Sequence, residues 1–342
     1  MHGVAVDDTS DFFDIGGDSL AAFELCMAIE DAFGISLPIT TLIDQPTPLA
    51  LMAAINEQRQ SPGAELASSS EVSSGSARRG DCGPLFEAVR SGDDRPPLVL
   101  LAPGGGHLMG YASLIRSLDP DQPVVGFRLP GADGREEPLN SIEEQVERIL
   151  PGLRQVDDRP LRLMGLSTGG LLAIELAHRL SVEEREPALV VLGDTIYPGF
   201  QDHGHTPLRS RLNTLKQEQG GTRAASYLKD RVKMRAETLT SSARAEVFRR
   251  TGKGFSPQAH ELHLYTLAGE MARRYVPPAY SGRCVMFAAS ETNPARTIEP
   301  WKTMLADLDV EIFTGAHDAI VEQAGTVGPL ASSLQRRLDS MH

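Results

Sequence analysis

The pentapeptide at positions 165–169 has the residue types of an activated nucleophile, because it reads Gly-Leu-Ser-Thr-Gly and a further glycine follows it. An apolar run precedes it and an apolar helical pattern follows it, so Ser167 lies where a strand turns into a helix. Such a turn is strained, and glycines are needed because no side chain fits near the serine Cβ. The pattern predicts that Ser167 attacks a carbonyl carbon and that the backbone N–H of Thr168 stabilises the resulting oxyanion.

The general base for this serine is expected to be His317, which lies after the last predicted strand. In sites built on a strand–turn–helix serine, the acid and then the histidine follow the serine along the chain. Two acids meet that order: Asp194 ends the next strand after the nucleophile, and Glu291 follows the strand that begins at Cys284. Either carboxylate could fix the histidine tautomer and stabilise the imidazolium, so the residues alone leave both open.

A second oxyanion donor is expected from the loop at residues 103–107, which reads Pro-Gly-Gly-Gly-His and follows the first predicted strand. Glycines let the backbone approach a developing oxyanion closely, and Gly104 is the predicted donor. A phosphate-binding loop is a weak interpretation of the same residues, because no Gly-x-x-x-x-Gly-Lys pattern follows.

A second serine, Ser19, lies in a different chemical setting near the start of the chain. Residues 11–20 read Asp-Phe-Phe-Asp-Ile-Gly-Gly-Asp-Ser-Leu, and Leu20, Phe23 and Met27 recur at helical spacing. A phosphodiester on the Ser19 hydroxyl would lie beside unpaired N–H groups and the positive end of the helix dipole. Helix chemistry alone favours a plainer role for this serine, as part of an N-cap.

The elements expected to position these residues are short apolar strands separated by helical patterns, which indicates βαβ units and a mainly parallel sheet. A Ser-x-x-Glu capping box at Ser141 starts one helix, and another helix is expected over residues 168–180. A long, mostly helical insertion between the fourth and fifth strands predicts a lid at about residues 198–278. The predicted strands cover residues 98–102, 124–127, 161–166, 189–192, 284–288 and 310–313.

The composition of the 342 residues suits a globular protein of two domains. No apolar run approaches the roughly 20 residues that cross a bilayer, and no signal pattern opens the chain, so no membrane is expected. Cys26, Cys82 and Cys284 are few and far apart, which favours free thiols in a reducing cytoplasm. His203 and His205 have no evident further ligand, so no metal is predicted. A net charge of −13 argues against nucleic acid as a partner.

The charge is spread unevenly along the chain. Residues 1–55 contain nine acidic residues and no Lys or Arg, whereas residues 200–276 contain 14 Lys and Arg against seven acids. Two separate solvated surfaces of opposite sign would account for this pattern, and so would two surfaces that meet.

Residues 59–95 are predicted to form a flexible linker. Positions 67–76 read Ala-Ser-Ser-Ser-Glu-Val-Ser-Ser-Gly-Ser, and Ser-Pro-Gly occupies positions 61–63. A stretch of this composition cannot bury enough apolar surface to offset its ordering entropy. The chain is therefore expected to divide into a small segment at residues 1–58, this linker, and an α/β domain at residues 96–342.

The sequence around Ser19 resembles the phosphopantetheine attachment motif of carrier domains from nonribosomal peptide and polyketide synthases. The likeness continues through Phe-Gly-Ile-Ser-Leu-Pro at residues 33–38 and Asp-Gln-Pro-Thr-Pro at residues 44–48, and it covers roughly residues 4–56. It implies a small all-α carrier domain with 4′-phosphopantetheine attached to Ser19 by a phosphopantetheinyl transferase. The first helix of the family is expected upstream of about Gly3, so the carrier is expected to lack that helix.

Residues 96–342 resemble the type I thioesterase domains that end such assembly lines. The resemblance implies an α/β-hydrolase fold with a helical lid between the acid and the next strand, and that layout favours Asp194 over Glu291. The matching pieces are the first strand and glycine loop at residues 98–106, the turn at 165–170, Leu-Gly-Asp at 192–194 and Gly-Ala-His at 315–317.

Together the two resemblances imply release of an acyl or peptidyl chain from the phosphopantetheine arm through an acyl-serine intermediate, by hydrolysis or cyclisation. They imply a thioester substrate and upstream synthase domains as partners. The opposite charges then favour a carrier that docks in cis on the basic lid, with Arg231, Lys233 and Arg235 as candidate contacts.

Two other functions are compatible with parts of the pattern. One is a general esterase or lipase in which the carrier segment is incidental. The other is a non-catalytic scaffold in which the carrier is the working part, and the set of Ser167, Asp194 and His317 in the expected chain order opposes it.

Overall fold

A computed structural model describes part of the N-terminal segment and most of the large domain. Ser19 lies outside the described residues, and so do residues 199–256, which hold most of the predicted lid and its candidate docking residues. The described residues are 6–12, 15, 25–26, 28–29, 32–33, 35, 37, 41–60, 82–134, 136–198, 257–317, 319–322 and 324–341.

The large domain is built on a seven-stranded sheet in the order β1-β3-β2-β4-β5-β6-β7. Strand β1 is antiparallel to β3, and all the other neighbours are parallel. The six predicted strands are present as β2 to β7, which confirms the α/β class. The strands are β1 (Phe86–Arg90), β2 (Leu98–Leu101), β3 (Val124–Phe127), β4 (Arg162–Leu166), β5 (Leu189–Gly193), β6 (Tyr280–Ala289) and β7 (Leu305–Phe313).

Strand β1 corrects the predicted linker, because Phe86–Arg90 lies inside residues 59–95 and is part of the sheet. Phe86 pairs with Phe127 of β3, and the Arg90 guanidinium donates to the Ile115 carbonyl at 2.7 Å. An edge strand is only half covered, so β1 lacks the continuous apolar run that marks the central strands. At the other end, helix structure continues to Gln60, and residues 61–81 lie outside the described residues.

Helices cover the sheet and make up the described elements of the N-terminal segment. The Ser141 side chain accepts a hydrogen bond from the Glu144 backbone N–H at 3.2 Å, which confirms the predicted helix start. The helices are α1 (Thr41–Asp44), α2 (Pro48–Gln60), α3 (Ala112–Ser117), α4 (Ile142–Leu153), α5 (Thr168–Val182), α6 (Pro257–Arg274), α7 (Pro294–Thr297), α8 (Glu299–Met304), α9 (Ala319–Glu322) and α10 (Ala324–Asp339).

The core lies on both faces of the central strands, since every residue of β2, β3, β4 and β5 is buried. Tyr111 connects two of these strands where they end. Its hydroxyl donates to the Leu101 carbonyl at 2.9 Å and accepts from the Leu166 backbone N–H at 2.6 Å. Leu166 directly precedes Ser167, so this buried hydroxyl helps to fix the strand end that carries the predicted nucleophile.

Described residues of the predicted carrier segment (residues 1–58) contact β1 and α3. Helix α1 contacts β1, and Arg116 at the end of α3 forms an ion pair with Asp11, with Nη2 and Oδ2 3.1 Å apart. Burial, and to a lesser extent the charge of Glu87 on β1, raises the pKa of Cys26 to about 11. Its thiol is therefore protonated at neutral pH and contributes as a small apolar group.

Among the described residues, no helix is both long and apolar enough to cross a membrane.

Candidate active site

Ser167 occupies the turn between β4 and α5 in a backbone conformation that a residue with a side chain rarely adopts. Its φ is 55° and its ψ is −121°. The strain is held in place by neighbours, because the Ser167 N–H donates to the Gly193 carbonyl at 2.8 Å. That contact places Ser167 beside the end of β5, where Asp194 follows.

The glycines around Ser167 are required by close approach. A Cβ on Gly165 would lie 2.0 Å from the Gly169 carbonyl carbon, and a Cβ on Gly170 would lie 1.9 Å from the Thr195 hydroxyl oxygen. Helix α5 therefore passes close against β4 and the residues after β5. The sequence motif accounts for the first of these glycines, and only the fold explains the second.

Asp194 is fully buried, and both of its carboxylate oxygens accept hydrogen bonds. Oδ1 accepts from the Ala289 backbone N–H at 2.9 Å, and Oδ2 accepts from the Thr292 hydroxyl at 2.6 Å. Oδ2 also faces His317 Nδ1 at 2.7 Å. Donors of this kind stabilise a buried carboxylate in its ionised form.

His317 lies in the loop after β7, and its side chain is 30% exposed. Because an ionised carboxylate can only accept, the Nδ1 facing Asp194 carries a proton, and in the neutral ring Nε2 is then the nitrogen that can accept one. This is the tautomer that a base for a serine hydroxyl needs.

The two candidate acids differ in their surroundings. Asp194 contacts His317 directly, whereas Glu291 is exposed and its backbone N–H donates to the Gly315 carbonyl at 3.1 Å. Glu291 thus helps to shape the turn that leads to His317. The geometry favours Asp194 as the partner of the histidine.

Two residues that support Asp194 have no signal in the sequence. The Thr292 hydroxyl contacts Asp194 from the loop after β6. Trp301, fully buried in α8, donates its ring N–H to the Thr195 carbonyl at 2.8 Å and so fixes the residue after Asp194. Each contact joins residues about a hundred positions apart, which no local pattern encodes.

The oxyanion loop (residues 103–107) follows β2 and lies next to Thr168. A Cβ on Gly104 would be 3.5 Å from the Thr168 hydroxyl oxygen and 3.1 Å from the Ala268 Cβ. The loop turns tightly, because the Gly106 N–H donates to the Pro103 carbonyl at 2.8 Å. The two predicted donors, Gly104 and Thr168, are therefore neighbours, and α6 lies against them.

In the described part of the chain, no three His, Cys, Asp or Glu side chains form a group that could hold a metal ion. His203 and His205 lie outside the described residues.

Comparisons with known proteins identify the family of the large domain. Residues 96–336 match the thioesterase domain family. The chain belongs to that family. Residues 3–55 match the phosphopantetheine attachment site, which confirms the predicted carrier segment and its cofactor.

Relatives of this thioesterase-family chain are much longer proteins. It is 31% identical over 57% of its length to a dimodular nonribosomal peptide synthase of Bacillus subtilis (strain 168), and 27% identical over 97% of its length to enterobactin synthase component F of Escherichia coli (strain K12). The chain spans 7% and 23% of these relatives' own lengths.

Solved structures show the same fold. The Vlm2 thioesterase domain with a bound dodecadepsipeptide matches 75% of this chain and 98% of its own, with a TM-score of 0.53 and 23% identity. Holo-AB3403, a four-domain nonribosomal peptide synthetase bound to AMP and glycine, matches 97% of this chain and 24% of its own, with a TM-score of 0.58 and 22% identity.

The residues present fit the covalent cofactor of this family. Attachment needs a hydroxyl, and the predicted Ser19 lies within the matched region. The start of the motif is described and tied down, since the Phe12 N–H donates to the Pro46 carbonyl at 2.8 Å. When attached, 4′-phosphopantetheine supplies the thiol that holds an acyl group as a thioester.

Proposed function

We propose that this chain releases an acyl or peptidyl group from its carrier thioester through an acyl intermediate on Ser167. The observation that carries the proposal is the 2.7 Å contact between His317 Nδ1 and Asp194 Oδ2, next to the strained Ser167 turn. That contact orients the imidazole so that Nε2 is the ring nitrogen that can accept a proton, close to a half-buried serine on a strained turn. The products are a free or cyclised chain and the carrier thiol.

In the proposed first half-reaction, His317 Nε2 takes the hydroxyl proton as Ser167 Oγ attacks the thioester carbonyl carbon. The oxyanion accepts hydrogen bonds from the backbone N–H groups of Gly104 and Thr168. The intermediate collapses, the carbon–sulfur bond breaks, and the thiolate takes the proton from His317. Asp194 remains ionised throughout and stabilises the imidazolium.

In the second half-reaction, water or a hydroxyl or amine of the substrate attacks the acyl-Ser167 ester. His317 accepts the proton of the attacking group and returns it to Ser167 Oγ. Water gives hydrolysis, whereas an internal nucleophile gives cyclisation. A general esterase would use the same groups but would prefer free esters and would not depend on Ser19.

The proposal includes the setting in which the chain works. Upstream synthase domains supply the acyl group, and a phosphopantetheinyl transferase modifies Ser19. We place the division at residues 1–58 for the carrier and 96–342 for the thioesterase, with β1 added to the latter as its edge strand. Cys26, Cys82 and Cys284 are buried and form no disulfide, which supports a reducing cytoplasmic compartment.

Docking of the carrier in cis is also proposed, and the described residues support a site beside α3. Arg116 donates to Asp11 through both terminal nitrogens, from Nη2 to Oδ2 at 3.1 Å and from Nη1 to Oδ1 at 3.5 Å. The expected contacts with Arg231, Lys233 and Arg235 fall outside the described residues. An acidic carrier segment next to a basic side chain gains orientation more than binding energy.

Intact-protein mass spectrometry tests the main proposal. The full chain is incubated with coenzyme A and a phosphopantetheinyl transferase, and then with acyl-pantetheine thioesters. We expect a phosphopantetheine adduct that Ser19→Ala removes and an acyl adduct that Ser167→Ala removes. Wild-type product release by Ser167→Ala would refute the acyl-serine route. A preference for free esters over acyl-pantetheine thioesters, unchanged in Ser19→Ala, would favour the general esterase.

A further inference from the structure

Helix α6 lies directly on the oxyanion loop. A Cβ on Gly104 would be 3.1 Å from the Ala268 Cβ, and a Cβ on Gly105 would be 3.1 Å from the Tyr265 hydroxyl oxygen. A single added carbon would nearly fill the space between the loop and the helix, so the glycine backbone packs close against α6. The position of α6 therefore sets one side of the space in which the predicted Gly104 donor lies.

A second segment supports the oxyanion loop from another side. The backing loop (residues 129–132) follows β3, and its Leu129 N–H donates to the Gly106 carbonyl at 2.9 Å. Gly106 has a φ of +82°, and a Cβ there would be 2.7 Å from the Ala132 Cβ. A shift of the backing loop would therefore be transmitted to the oxyanion loop through a hydrogen bond and a tight contact.

His260 of α6 joins these two supports. Its ring is buried, and its Nε2 lies 2.9 Å from the Gly131 carbonyl oxygen and 3.1 Å from the Ala132 carbonyl oxygen. Both partners are acceptors, so Nε2 must carry the proton that they share. One imidazole thus connects α6 to the backing loop.

His107 lies close to His260, Arg128 and Asp133. Arg128 and Asp133 form an ion pair with Nη1 and Oδ2 3.2 Å apart. Burial, together with the neighbouring His260 and Arg128, lowers the pKa of His107 to about 4, so its ring is neutral at pH 7. His107 ends the oxyanion loop, and a neutral ring there avoids repulsion with its basic neighbours.

Other contacts fix the far end of α6 away from the oxyanion loop. Tyr275, directly after the helix, donates its hydroxyl to Glu175 Oε2 at 2.9 Å. With that end held against α5, the contact of His260 helps to seat the other end of the helix on the backing loop.

We propose that His260 is a positioning residue for the oxyanion loop. By donating to the Gly131 and Ala132 carbonyls it holds α6 and the backing loop together, and this fixes the direction in which the loop N–H groups point. The inference rests on the proposed function, because the oxyanion loop that His260 positions would act in the transition state of that reaction. His260 itself touches no reacting atom.

The test compares donors of different reach in the full chain, with a soluble acyl thioester as substrate. The amide N–H of His260→Gln reaches about as far as the ring Nε2, whereas that of His260→Asn is too short. Because small displacements of an oxyanion donor are costly, we expect kcat of His260→Asn to fall roughly 10- to 100-fold with little change in KM. His260→Gln should retain most of the wild-type kcat, and Arg274→Ala, an exposed change on the same helix, should be neutral.

A second readout follows the rate at which a fluorophosphonate labels Ser167, because the phosphoryl oxygen needs the same N–H groups. We expect slower labelling of His260→Asn that still reaches completion, which separates misplacement from unfolding. Wild-type kcat and labelling in His260→Asn would overturn the inference, and so would an equal loss in His260→Gln and His260→Asn. If Ser167→Ala retained activity, the proposed function itself would fail, whatever the His260 variants do.

Discussion

Asp194 shows how a buried charge is held ready at the scale of single residues. An ionised carboxylate with no exposure is costly unless donors surround it, and here a backbone N–H, a hydroxyl and an imidazole N–H do so. Two of these three donors meet the same oxygen, Oδ2. The imidazole is thereby oriented by a group that is itself rigidly placed.

The first prediction concerns the choice of acid. Asp194→Asn keeps the shape but lets the amide donate to Nδ1, which would favour the wrong histidine tautomer. We expect kcat on a soluble thioester to fall roughly 10²- to 10⁴-fold. Glu291→Gln, an exposed matched change, should leave kcat within about twofold, as surface changes usually do. A larger loss in Glu291→Gln than in Asp194→Asn would reverse the assignment.

A second prediction addresses Thr292. Thr292→Val removes the 2.6 Å donor to Asp194 Oδ2 while keeping the shape of the side chain. Hydrogen bonds to charged groups contribute about 1.5–3 kcal/mol, so we expect kcat to fall roughly 10- to 100-fold if the loss is felt at His317. Thr292→Ser should restore most of it. Steady-state kinetics measure this loss of kcat. Equal kcat values for Thr292→Val and the wild type would show that the hydroxyl is dispensable.

At the scale of elements, the site depends on how closely α5 passes the strands beside it. The helix begins at Thr168, directly after the strained serine, and its glycines permit contacts that a Cβ would block. Parallel strands end at the same edge of a sheet, which is why β4, β5 and β7 deliver Ser167, Asp194 and His317 to one place.

The third prediction compares two helical glycines. Gly170→Ala would place a Cβ 1.9 Å from the Thr195 hydroxyl oxygen, and we expect it to lower the free energy of unfolding by about 1–3 kcal/mol. Gly269→Ala, within α6, would make an ordinary 3.7 Å contact with Arg273, and we expect it to raise stability by about 0.5–1 kcal/mol. Chemical denaturation midpoints should therefore shift in opposite directions. Equal midpoints would contradict the described approach of α5 to Thr195.

At the scale of the whole molecule, the edge strand β1 and helix α3 meet the carrier segment. An exposed edge strand offers unpaired backbone groups, and a segment lying beside it reduces that liability. The ion pair of Asp11 with Arg116 is partly exposed on both sides, at 18% and 39% of the side chains. Pairs of this kind add little stability, so their contribution is expected in orientation and rate.

The fourth prediction tests that ion pair by charge reversal. Arg116→Asp or Asp11→Arg should slow single-turnover release of carrier-bound substrate roughly 3- to 10-fold, while the Asp11→Arg, Arg116→Asp double variant recovers. Arg148→Asp, which breaks a pair with Glu136 within the thioesterase, is the matched control.

Turnover of a soluble thioester should be the same in all these variants, and each protein is first checked by mass for complete loading of the carrier. The difference between carrier-bound and soluble substrate should shrink with added salt, since exposed charges are screened. Equal single-turnover rates for every variant at low salt would remove Arg116 from the proposed docking surface.

Local patterns were enough to predict the candidate nucleophile and the order of the elements. Gly-x-Ser-x-Gly between an apolar strand and an apolar helix is a local constraint, so the turn at Ser167 follows from adjacent residues. The central strands could also be predicted from the sequence, because strands covered on both faces are continuous apolar runs. His317 could be predicted as the base because it follows the last strand.

The groups that surround these residues could not be predicted from local patterns and became visible in the fold. Asp194 meets His317 across 123 positions and Thr292 across 98. The edge strand β1 is only half covered and has no continuous apolar run, so it was not predicted. The contacts of His260 with residues 131 and 132 join parts of the chain more than a hundred positions apart. Long-range hydrogen bonds depend on how strands and helices stack, and periodicity along the chain carries no record of that stacking.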